Sequence, residues 1–312
     1  MIRLKFEIGL QYEVIGPAHF VFNFVAAQTL AQRVVTEYLT VNGAPPAAEL
    51  LREPQFGNRV LRLDAPPGPL RVAYAATVDI DHLFEEPAAI QENALARLPL
   101  ETLPFLRASR YCQSDQLVQL AHAEFGHWQR GYARVAAIAD WVRQRTRFAG
   151  GISTVATTAL DTLNERHGVC RDFAHLMIAL CRALNIPARF VTGLDYGADP
   201  VLGPPDFHAY VEVWLGKRWY LFDPTGISPV TGLMRLAVGR DAADVSFCTI
   251  FGAVRAAVPQ VSVDAIEDPK RGLVRPQPTA LAVSTAYGAG DARRLFTPQP
   301  AASPQQAALE CA

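Results

Sequence analysis

The chain has 312 residues, half of them hydrophobic and 19% charged, which is enough apolar material for a sizeable core and excludes a wholly disordered chain. Its 29 Lys and Arg against 30 Asp and Glu leave a net charge of −1, so no global field draws it to nucleic acid or to an acidic membrane surface. No apolar run approaches about 18 residues, so no membrane span is expected.

In chain order, Met1-Ile2-Arg3-Leu4-Lys5-Phe6-Glu7-Ile8 alternates apolar and charged residues where a secretory signal needs an unbroken apolar stretch, and a cytoplasmic address is expected. Residues 1–105 read as a β-rich, sandwich-like domain. Leu4–Val14 and Arg59–Leu63 show partial period-two alternation, Leu70–Val78 is rich in β formers, and prolines punctuate the stretch. Residues 106–255 read as a second, α+β domain. Val135, Ile138, Ala139 and Val142 follow the spacing of an amphipathic helix. Ser153 or Thr154 is the expected cap of a second helix carrying Ala156, Ala159, Leu160 and Leu163 on its buried stripe. From Cys170 to Leu184 apolar residues surround most of the circumference, which predicts a helix buried at the domain's centre and stopped by Pro187. Strands are expected at Arg189–Leu194, Phe207–Trp214 and Trp219–Phe222. Residues 256–286 add a strand segment packing back on the body, and the Ala-, Pro- and Gln-rich stretch 287–312 predicts a disordered tail.

Five cysteines (Cys112, Cys170, Cys181, Cys248 and Cys311) are an odd, sparse set and form no disulfide framework. Cys170 stands at the predicted start of the buried helix. There the unpaired N–H groups and partial positive charge favour thiolate over thiol, and those N–H groups can bind an oxyanion. His208 lies on the strand Phe207–Trp214, on the face of Tyr210 and Glu212, with Ala209, Val211 and Val213 opposite. A turn at Gly216-Lys217 places Asp223 diagonal to His208 on that face; a turn at Leu215-Gly216 places the two directly opposite. Either register gives a base and its orienting carboxylate on a hairpin with a nucleophile on a helix, the logic of a Cys-His-Asp triad.

His167-Gly168-Val169-Cys170-Arg171-Asp172-Phe173-Ala174-His175 resembles the nucleophile motif of bacterial transglutaminase-like cysteine peptidases. The likeness continues through Cys181–Gly193, the His motif Phe207–Trp214 and the Asp motif Trp219-Tyr220-Leu221-Phe222-Asp223-Pro224-Thr225, and the N-terminal β region is similar to the domain that precedes this core. The resemblance implies a papain-like α+β core, with the Cys helix packed on an antiparallel sheet. It gives Cys170, His208 and Asp223 the nucleophile, general base and acid, and orienting roles. It implies acyl transfer from a peptide, protein or other amide substrate through a thioester, to water or to an amine acceptor.

A metal site is disfavoured. On a helix Cys170 and His175 point about 140° apart, and Cys170 and Cys181 stand about 16 Å apart along the axis. His122 and His127 lack the spacing of the zinc helix motif. No metal and no cofactor are expected, and His175 and Cys181 read as packing residues. Gln144, Ser153 and Thr154 are candidates for a second oxyanion donor. The competing functional reading is a non-catalytic binding protein that keeps the fold.

Overall fold

The period-two pattern of the first residues becomes β1 (Ile2–Val14) in the computed structural model, which describes residues 1–46, 50–199, 201 and 205–286. Ile2, Leu4, Phe6, Ile8, Leu10 and Tyr12 point into a core while Lys5, Glu7 and Gln11 face water. There follow β2 (Ala18–Phe22), β3 (Gln32–Val41), β4 (Leu50–Arg52), β5 (Arg59–Ala65), β6 (Gly68–Ile80) and β7 (Leu83–Glu85). β1 pairs antiparallel with β6, and β6 with β3; β5 lies between β2 and β4 in a second sheet. The two sheets face each other across Phe6, Phe20, Phe22, Phe24, Leu61 and Tyr74. Alternation builds this sandwich because each strand presents one apolar face.

The second half contains α1 (Val118–Phe125), α2 (Tyr132–Arg145), β8 (Arg147–Phe148), α3 (Ala159–Glu165), β9 (His167–Gly168), α4 (Cys170–Ala183), β10 (Ala188–Asp195), β11 (His208–Leu215), β12 (Arg218–Phe222), β13 (Leu233–Gly239) and α5 (Ala242–Val245). α4 is buried at every position from Asp172 to Ala183, with α1, α2 and α3 around it and β10 and β11 beneath it. At about 1.5–3 kcal/mol for each large apolar side chain removed from water, packing rather than helix propensity holds α4. α3 begins later than its sequence suggests. Thr158, not Ser153 or Thr154, caps it: its Oγ1 accepts Asp161 N–H while the Asp161 carboxylate accepts Thr158 N–H. Such a reciprocal box satisfies two otherwise unpaired donors, and Ser153 and Thr154 offer none.

The sheet under α4 runs β13–β10–β11–β12–β17–β7, where β17 is Ala282–Ala286. The chain crosses back to the sandwich after α5. There β14 (Cys248–Phe251) pairs with β2, and β15 (Val254–Ala256) and β16 (Gln260–Ile266) both pair with β1. The tail expected from 287, with Cys311, lies outside the described residues. The two layers are joined at β13. The Gln32 amide donates to Arg235 O at 2.8 Å and accepts Arg235 N–H at 2.9 Å, and Asn58 does the same at Val238 at 2.9 and 2.8 Å. These amides stand in for a missing neighbour strand, and Leu194, Met234 and Leu236 extend the sandwich core onto the back of the sheet.

Candidate active site

The residues just before α4 are held in a short parallel pair. Phe148 lies beside Gly168, and Ala149 N–H donates to Gly168 O at 3.0 Å. Val169 is the N-cap, and Cys170 is the first residue of the helix. Valine has no acceptor for the helix's unpaired amides. Asp172, fully buried, instead reaches back to accept Val169 N–H at 2.9 Å, and it also accepts from Ser153 Oγ and from Arg171 Nη2 at 3.1 Å. A carboxylate in the first turn complements the helix dipole. Cys170 is half-buried, and its thiol donates to Phe207 O at 4.0 Å.

His208 opens β11, the strand next to α4's own neighbour β10 and itself against α4. The β11–β12 hairpin takes the Gly216-Lys217 register: Val211 pairs with Phe222 and Leu215 with Arg218. Gly216, at φ 58°, takes the first turn position, which side-chain-bearing residues resist. Asp223, one residue past β12, is therefore diagonal to His208. Their Nε2 and Oδ2 approach to 3.2 Å, as an ion pair off the line of a well-aligned hydrogen bond. Both side chains are almost wholly buried. The other carboxylate oxygen, Oδ1, accepts Thr225 N–H at 2.9 Å and Thr225 Oγ1–H at 2.6 Å.

The electrostatics follow from this packing. Burial opposes a charged His208, but the Asp223 carboxylate and the neighbouring Cys170 thiol outweigh it and hold the imidazole pKa well above its ordinary value. Burial likewise opposes an ionised Asp223, yet His208 and the two Thr225 donors keep its carboxyl below the usual range. The structure thus brings Cys170, His208 and Asp223 together around one imidazole.

β11 is buried on both faces, although its sequence alternates. Ala209, Val211 and Val213 pack under α4, while Glu212 on the opposite face is clasped by Arg189, 2.7 Å away, and by Arg235. Burial opposes the Glu212 charge, and the two guanidinium groups more than offset it. His175 is a packing residue. Its ring stacks on Tyr111 at 5.0 Å and its Nε2 accepts Ala242 N–H at 3.1 Å, a bond that needs the neutral ring, which burial favours. Cys181 is buried. Of the residues considered as second oxyanion donors, Ser153 is engaged by Asp172, the Thr154 hydroxyl accepts Ala156 N–H at 3.2 Å, and Gln144 is exposed on α2. Thr225 is the contributor that sequence reasoning overlooked. An Asp with Thr two residues on is the signature of a side-chain-to-backbone turn, and that pattern could have found it.

Comparisons with known proteins bear on the family and the fold of both halves of the chain. Residues 2–101 match the family model of the bacterial transglutaminase N-terminal domain, and residues 120–224 match that of the transglutaminase-like superfamily core. A solved structure from Cytophaga hutchinsonii, described as a "putative cysteine protease", is 36% identical, superposes with a TM-score of 0.83, and is covered over 98% of its length by 91% of this chain. An uncharacterised protein of Mycobacterium leprae is 37% identical over 117 residues, 36% of this chain and 42% of its own length. One of Mycobacterium tuberculosis is 34% identical over 109 residues, 31% of this chain and 35% of its own. The chain thus spans less than half the length of these curated relatives. Among the described residues no helix is long and apolar enough to cross a membrane. With the N-terminal sandwich and the helix-on-sheet core both matched, and a structural relative aligned over nearly its whole length, the chain belongs to the bacterial transglutaminase-like superfamily.

Proposed function

We propose that the protein is a cysteine-dependent acyl-transfer enzyme acting on amide or peptide bonds, and that its dominant reaction is hydrolysis. The observation that carries this reading is the buried His208, set between the Cys170 thiol and the Asp223 carboxylate 3.2 Å away. Nε2 faces Asp223, so Nδ1 is the nitrogen left for the thiol. Transfer of the thiol proton to that nitrogen gives a thiolate–imidazolium pair stabilised by the carboxylate.

The thiolate attacks the amide carbonyl carbon, and the carbonyl oxygen becomes an oxyanion facing the N–H groups at the start of α4. As the C–N bond breaks, His208 delivers its proton to the leaving amine, and Cys170 holds the acyl group as a thioester. A water then loses a proton to His208 and attacks the thioester. The products are a carboxylic acid and the regenerated thiolate–imidazolium pair. A primary amine in place of that water gives the transamidated product. The cysteine protease description of the Cytophaga relative supports the hydrolytic branch. The free thiols Cys112, Cys170, Cys181 and Cys248 suit a reducing compartment, and we place the protein in the cytoplasm on that ground.

The test is amide hydrolysis by the wild type and Cys170→Ala, with and without an added primary amine, together with iodoacetamide mapping. Cys170→Ala should abolish turnover, and Cys170 should be alkylated ahead of the buried Cys112, whose pKa burial pushes up to about 12. Full activity in Cys170→Ala would overturn the reading. Amine incorporation exceeding hydrolysis would move it to the transamidase branch.

A further inference from the structure

β12 runs out into the turn Asp223-Pro224-Thr225-Gly226, closed by Gly226 N–H donating to Asp223 O at 3.2 Å. In this turn the two oxygens of the Asp223 carboxylate are used differently. Oδ1 accepts both donors of Thr225, the N–H at 2.9 Å and the hydroxyl at 2.6 Å. Oδ2 is buried and, among the described residues, is approached by His208 Nε2 alone, at 3.2 Å. The Thr225 hydroxyl cannot reverse its bond. Its oxygen accepts Ile227 N–H at 3.3 Å, and an ionised carboxylate only accepts, so the hydroxyl hydrogen is committed to Oδ1. A separation of 2.6 Å is that of a charge-assisted O–H···O bond. Thr225 is buried, so water has little access to take its place. Two donors reaching one oxygen from the same residue stop the carboxylate from turning about its Cβ–Cγ bond.

We propose that Thr225 is a positioning residue of the site: its hydroxyl anchors Oδ1 so that Oδ2 stays turned to His208, and through the imidazole it sustains the Cys170 thiolate. The inference rests on the reading of Cys170 as the nucleophile. The backbone N–H is there with almost any residue at this position, so the side chain's own contribution is the second donor. Without it a single N–H holds Oδ1, the carboxylate can swing, and a buried charge loses a partner. The imidazolium is then less well matched, and its proton returns to the sulfur. The other ionisable groups around the turn are committed elsewhere. Arg143 on α2, whose Nη1 would lie 2.8 Å from a Cβ added at Gly226, is paired with Asp140, and Asp195 at the end of β10 accepts Ser228 Oγ–H.

The experiment follows alkylation of Cys170 by iodoacetamide, read site by site by mass spectrometry, from about pH 4 to pH 9 in wild type, Thr225→Val and Thr225→Ser, with a thermal melt of each. Valine keeps the shape and the burial without the donor; serine keeps the donor. For the loss of one charge-assisted hydrogen bond, Thr225→Val should move the acid limb of the profile upward by about one pH unit and slow alkylation near pH 6 about tenfold. Thr225→Ser should stay within about threefold of wild type throughout. Thr225→Ala also lacks the donor and carries the same expectation as valine, so the test survives a valine variant that does not fold. A wild-type profile in the variants without the donor, with only the melt lowered, would show that the hydroxyl supports the turn and nothing more, and would overturn the inference. So would a serine variant as slow as the valine one. If Cys170 of the wild type is inert at every pH, the reading of Cys170 as nucleophile fails, and the inference falls with it.

Discussion

Replacing Asp223 by Asn exposes how the imidazole is controlled. Thr225 N–H, a group that can only donate, lies 2.9 Å from Oδ1. The asparagine introduced by Asp223→Asn must therefore keep its oxygen there and turn its NH2 toward His208. That NH2 replaces a carboxylate oxygen 3.2 Å from Nε2, so Nε2 becomes the acceptor and the ring proton moves to the nitrogen facing Cys170. The neutral ring can then no longer take the thiol proton without setting two N–H groups against each other. At an effective dielectric of about 20, losing a unit charge at this separation costs about 5 kcal/mol of imidazolium stabilisation. A charge-assisted hydrogen bond gives a lower figure of about 2 kcal/mol. The expected fall in kcat/KM is therefore roughly 30- to 5,000-fold. Asp223→Asn should be no better than Asp223→Ala, although Asn is closer to the native shape. Amide hydrolysis for the three proteins, with the pH profile of Cys170 alkylation shifted upward in both variants, checks the reasoning. An Asn variant within about threefold of wild type would refute it.

Further outcomes follow from the same geometry. The pKa of His208 is raised on folding, so its share of stability is full below the ordinary 6.5 and is lost as pH climbs through the folded value. That of Asp223 is lowered, so its share is present above the ordinary 3.8 and is lost as pH falls through the folded value. The Tm advantage of wild type over His208→Gln/Asp223→Asn should accordingly be widest between about pH 4 and 6.5 and shrink on either side; a gap that grew steadily with pH would contradict it. Gly168→Ala would set a methyl 2.7 Å from Asp172 Cβ, in a side chain pinned by Val169, Ser153 and Arg171, and should cost about 1–3 kcal/mol and at least tenfold in turnover. Gly150→Ala meets nothing within 4 Å and should be silent in both thermal melts and rates. Arg182 is buried and donates to the carbonyls of Ala188, Arg107 and Arg240 and to Ser109 Oγ. Arg182→Met should lower the denaturation free energy by about 3 kcal/mol or more, and Arg182→Lys should not restore it, because one ammonium cannot span those directions.

What could be read in the sequence was local. The pattern after Cys170, apolar round most of the circumference, predicts the buried α4, because a helix with so little polar surface is stable only inside the domain. A turn containing Gly216 is legible in the sequence but leaves two registers open, and the structure takes the one with Gly216 at the first turn position. The second buried face of β11 was illegible because the groups that make Glu212 tolerable, Arg189 and Arg235, lie on two other strands. Ser153 and Thr154 have the residue type of a cap, but their partners are set by tertiary structure, and the cap is the Thr158–Asp161 box five and four residues further on. Likewise the pairing of 248–266 with β1 and β2 depends on contacts more than two hundred residues apart, which no local period encodes.

That long-range pairing sets an order on synthesis. β1 can join β6 once Ile80 has left the ribosome, but its other edge, from Arg3 to Gly9, is filled only by Gln260–Ile266. At about 5–20 residues per second the gap between Ile80 and Ile266 is roughly 10–40 s. For that interval the nascent sandwich carries an open strand edge bearing Lys5 and Glu7 on its outer face, charges that discourage a neighbouring chain from docking there. β1 is thus completed by a strand translated after α4, β11 and β12, and its sheet closes only once the residues that carry Cys170 and His208 have been made.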